Sequence, residues 1–112
     1  MAMTKENYEI RMHIFGLEKQ IDEMHLDFER YRQGLEPVMP AWEKLELDLI
    51  WYSRRKLYDF ELSSQMDRVL YKFQNRKKIW LRWVEEYHQK RKEEEEEEER
   101  KQLAALTPEL PT

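Results

Sequence analysis

Two carboxylate–histidine pairs, Asp22 with His25 and Glu85 with His88, are spaced i, i+3, so each pair shares one face of a helix. Glu-x-x-His on a helix is the ligand unit of di-iron bundles, where the ligands project into the core. The apolar pattern of this chain instead sets Asp22, Glu85 and His88 outward and leaves His25 and His13 flanking the core stripe. No metal and no cofactor are therefore expected. Nucleophilic chemistry fares no better. The serines are Ser53, Ser63 and Ser64, none in a glycine-rich strand–turn–helix setting, and cysteine is absent. No phosphate-cradling G-x-x-x-x-G-K-[ST] or G-x-G-x-x-G run occurs. The expectation is a protein that is not an enzyme.

Charge is the second source of chemistry. The net charge is −4, but residues 65–92 carry 9 basic and 3 acidic groups, while residues 93–112 carry 2 and 8. Within the basic stretch 68–92, Arg68, Lys72, Arg76, Lys77, Lys78 and Arg82 interleave with Phe73, Ile79, Trp80 and Trp83. Such a basic amphipathic segment suits nucleic acid or an acidic membrane surface, the alternative reading of this chain. The Glu93–Glu99 run beside it opposes strong nucleic-acid binding. The eight residues Phe73-Gln74-Asn75-Arg76-Lys77-Lys78-Ile79-Trp80 resemble the recognition helix of homeodomains, which implies Asn and Arg contacts in the DNA major groove. The sequence departs from that family where its tryptophan before the Phe would stand, at Lys72, and where its first-helix apolar positions fall on Pro40 and Lys44. The match is read as convergence on a basic amphipathic helix, and no DNA-reading role is carried over.

The elements that position these groups follow from apolar periodicity. Ile10, Ile14, Leu17, Ile21, Met24, Phe28, Tyr31 and Leu35 alternate steps of four and three, a filled heptad seam. Thr4 is an N-cap candidate, Gly34 a C′ residue, and Pro37 and Pro40 bar continuation. This predicts a first helix over about 5–33 and a linker over 34–40. A second seam begins at Trp42, Leu45, Leu49 and Tyr52, meets polar Lys56 and Asp59, and restarts at Leu62, Met66, Val69 and Phe73. It then passes Arg76 and reaches Trp80, Trp83 and Tyr87. The favoured reading is one long helix over about 41–92 or beyond, with a stammer near Leu62. The alternative is a three-helix bundle with a break near Ser63-Ser64, where Ser64 and Asp67 could form a capping box.

Two glycines, four prolines and 39% charged residues fit an all-α chain and exclude a turn-rich β-fold. The expected fold is an antiparallel helical hairpin or coiled coil with an overlong second helix. It forms one domain over 1–100, and an acidic, disordered tail runs over 93–112. In that hairpin the first helix runs out near residue 70 of the second. Val69, Phe73, Arg76, Trp80, Trp83, Val84 and Tyr87 then form an aromatic seam for a partner, either a second copy or a helical protein. The function expected is an adaptor or scaffold subunit assembling through that seam. Neither a leader peptide nor a transmembrane run is visible, so the expected location is intracellular, cytoplasmic or nuclear.

Overall fold

The computed structural model describes residues 4–55 and 59–106. They form three helices: α1 (Lys5–Arg32), α2 (Trp42–Ser53) and α3 (Phe60–Leu106). The all-α class read from the sequence is correct.

α1 starts where Thr4 Oγ1 accepts from the Asn7 amide at 3.1 Å. It ends in a Schellman motif: Gly34 N donates to Tyr31 O at 3.0 Å and Leu35 N to Arg30 O at 2.9 Å, with Gly34 at φ 77°. A β-carbon would be strained at that φ, which is why glycine stands there. Arg30 and Arg32 in the last turn complement the helix dipole.

The second half of the chain differs from the continuous helix expected. α2 ends at Ser53, whose hydroxyl donates to Ile50 O at 2.8 Å, and α3 begins at Phe60 behind Asp59. Asp59 Oδ1 accepts from the Leu62 amide at 3.1 Å, a side-chain cap for the new helix. Three helices are present, but the break precedes Ser63 and Ser64, which lie inside α3. The polar seam position Asp59 is the cap itself, and its companion Lys56 lies outside the described residues. What reads as a stammer is a helix ending and another starting.

The break reverses the chain, so α1 and α3 run parallel with α2 antiparallel beside both. Arg11 meets Glu61, Glu18 and Asp22 meet Lys72, Phe28 meets Trp80, and Tyr31 meets Tyr87 and His88. In the opposite sense, Tyr52 stacks on His13 at 4.2 Å, and Glu46 pairs with Lys77 at 2.6 Å. One core fills the interior: Ile10, Ile14, Leu17, Ile21 and Phe28 of α1, Leu45, Leu49 and Tyr52 of α2, and Leu62, Met66, Val69, Phe73 and Trp80 of α3. The molecule is a rod of 90 × 19 × 16 Å. α3 has 47 residues, about 70 Å at 1.5 Å each, so it outruns the bundle. Residues 91–106 are all exposed. The Glu93–Glu99 run, expected in a disordered tail, is helical; residues 107–112 of that tail lie outside the described residues.

Candidate functional site

The expected partner seam is largely inside the molecule. Val69, Phe73 and Trp80 are core residues, with Trp80 fully buried at 0% exposure. Its indole stacks on Phe28 (centroids 4.8 Å, 13° between planes) and meets the Phe73 edge at 5.9 Å. Trp80 Nε1 donates to His25 Nδ1 at 2.9 Å, so the ring of His25 closes the one polar atom of the buried indole. Trp83 and Val84 are half-buried against the same core, and Arg32 lies over the Trp83 ring at 4.6 Å. Tyr87 tilts against Tyr31 at 5.0 Å. Arg76 is half-buried on the α1 side. The burial has a simple cause. A hairpin would leave these side chains beyond the end of helix 1, whereas parallel pairing brings residues 80–88 beside Phe28 and Tyr31.

The basic candidates are partly used up within the chain. Lys72 Nζ reaches Asp22 at 2.8 Å and Glu18 at 3.3 Å, and the Asp22 hydrogen bond raises its pKa above the ordinary lysine value. Lys77 pairs with Glu46 and lies 4.7 Å from the Trp42 ring, and Arg82 sits 3.9 Å from Glu86. Lys78 and Arg68 are exposed. The carboxylate–histidine pairs are likewise separated by other partners: Asp22 is held by Lys72, and His88 Nε2 hydrogen-bonds the Tyr31 hydroxyl at 2.8 Å.

The His25 imidazole sits in a perturbing environment. Burial lowers its pKa below 6.5, the Arg76 guanidinium lowers it further, and Glu29 and Asp22 oppose both. The Trp80 bond needs a lone pair on Nδ1, so the proton sits on Nε2, 3.5 Å from Glu29 Oε1. All three histidines of the chain contact an aromatic ring on a different helix: His13 with Tyr52, His25 with Trp80 and His88 with Tyr31.

One surface feature lies outside the apolar seams. At the start of α3 an open groove of ≈ 580 Å³ is lined by Arg11 and Phe15 of α1 and by Phe60, Glu61, Ser64, Gln65 and Arg68 of α3. Phe60 is 84% exposed and Phe15 51%, and Tyr8 and Met12 continue the Phe15 stripe along α1 with similar exposure. Large apolar side chains left in water on adjoining helices are the usual mark of an interaction surface. Arg11 Nε is enclosed without a hydrogen-bond partner, and Arg11 Nη2 lies 4.0 Å from Glu61, too far for a hydrogen bond. The signal was present in the sequence as a second apolar stripe, Tyr8, Met12, Phe15, at helical spacing.

Among the described residues, no helix is long and apolar enough to cross a membrane, and no group of three His, Cys, Asp or Glu is placed to hold a metal. Comparison with protein-family models, curated proteins and solved structures finds no match to this chain.

Proposed function

We propose that the protein is a non-enzymatic helical assembly or adaptor subunit, acting inside the cell, that captures an acidic amphipathic helix in the Phe15–Phe60 groove. The observation that carries this reading is the exposure of both phenylalanines beside two guanidiniums, Arg11 and Arg68, with a single lining carboxylate, Glu61. Apolar walls suit the leucine face of a helix, and the excess cation suits carboxylates along its rim. The aromatic seam keeps a supporting part: it holds α1 and α3 together and so sets the two walls of the groove.

A photo-crosslinking side chain at position 15, compared with one at the exposed Tyr71, tests this in the cell of origin. Cross-links from position 15 should map to an acidic helical segment of protein, above the level from position 71. Cross-links to nucleic acid or lipid would transfer the assignment to the anion-binding alternative. No enrichment at position 15 would end the groove reading.

A further inference from the structure

The groove has a chemically matched occupant within this chain's own composition. The free end of α3 carries Glu93–Glu99 and then Leu106, which is 78% exposed. It is an acidic helix with an apolar end, standing clear of the bundle. It cannot reach the groove of its own molecule. Both lie on α3, and Phe60 and Glu96 are separated by 36 residues of one unbroken helix, about 54 Å. Only a second copy can bring the two together.

We infer that the protein self-associates head to tail, the acidic end of α3 from one copy lying in the Phe15–Phe60 groove of the next. Charge complementarity selects this occupant. Glu93–Glu99 supplies seven consecutive carboxylates, and the groove offers Arg11 and Arg68 against one Glu61. The acidic end does not suit a symmetric pairing with its own counterpart, because like charges would face each other along the run. The interface is heterologous: each molecule has one groove and one tail at opposite ends of a 90 Å rod, so association extends into open chains rather than stopping at a closed dimer.

This inference rests on the groove reading above and names its partner. Its test is complementation followed by sedimentation velocity. The groove variant carries Phe15→Asp with Phe60→Asp, and the tail variant carries Glu95→Lys, Glu98→Lys and Leu106→Asp. Wild type should grow in mass with concentration, with association weakened at least about fivefold on moving from low to high salt. Each variant alone should be monomeric, and their equimolar mixture should form a dimer and nothing larger. A wild type that stays monomeric, or a mixture that stays monomeric while wild type associates, overturns the inference. Because the chain has no cysteine, a second readout is independent of those surface changes. Ser64→Cys chains should form a disulfide with Gln102→Cys chains and not with themselves; the reverse pattern also overturns it. Photo-cross-links from position 15 to an acidic helix of a different protein would keep the groove reading and remove this occupant, whereas loss of all cross-links would remove both.

Discussion

At the scale of single residues, Trp80 and His25 carry the upper half of the α1–α3 contact. Trp80→Ala removes a fully buried indole and should cost about 3–5 kcal/mol in urea unfolding. A residue that served only to dock a partner would leave the midpoint of the isolated chain unchanged. His25 makes this contact sensitive to acid. Its folded pKa is held below 6.5 by burial first and Arg76 second, so the unfolded chain takes the proton before the folded one does. Stability is then full above pH 6.5 and falls as the pH drops from there through the folded pKa. A protonated Nδ1 would also set an N–H against the Trp80 N–H, breaking the 2.9 Å bond. His25→Asn keeps an acceptor oxygen near that position and cannot titrate. Urea midpoints at pH 7.5 and pH 5.5 should separate for the wild type more than for this variant, and equal separation would remove His25 from the acid response. Residue-level packing of α1 was legible in advance, since every seam position from Ile10 to Tyr31 is buried or half-buried. Leu35, the last position of the seam pattern, instead follows the Gly34 turn and is 65% exposed.

At the scale of elements, helix ends decide the topology. Asp59 caps α3 through the Leu62 amide, and Asp59→Ala should destabilise the protein by about 1 kcal/mol, measured by denaturation. Gly16 is a weak link of a different kind. It lies inside α1, and a β-carbon there would meet nothing within 4 Å. Gly16→Ala should therefore stabilise by about 0.5–1 kcal/mol, read as a higher midpoint with unchanged steepness. The start and end of α1 could be read from Thr4, Gly34 and the prolines because caps are local chemistry. The α2–α3 break was harder to place. No glycine or proline marks residues 54–59, and helix propensity favours continuation. The useful signal was the pair of polar seam slots, Lys56 and Asp59, which a continuous helix would have buried.

At the scale of the whole molecule, the projecting end of α3 should be separable from the bundle that bears it. Residues 93–106 are exposed throughout, so a chain ending at Lys92 should keep its thermal midpoint within about 2 °C while losing head-to-tail association. A large fall in the midpoint would mean that the acidic segment packs on the bundle. By itself, the sequence determined the helical class, the seam residues of each helix, the caps of α1 and the opposition of a basic stretch to an acidic end. These are properties of one helix at a time, set by period, composition and local hydrogen bonding. Only the tertiary structure decided which seam meets which. A heptad pattern states that a face is apolar, not what covers it. The reversal of direction between α2 and α3 turns α3 parallel to α1 and buries Trp80 against Phe28. With the aromatic seam inside the rod, the groove beside Phe15 and Phe60 is apolar surface that the bundle leaves in water. Burial of Phe73 and Trp80, each worth about 1.5–3 kcal/mol, favours that arrangement over a hairpin that leaves both in water.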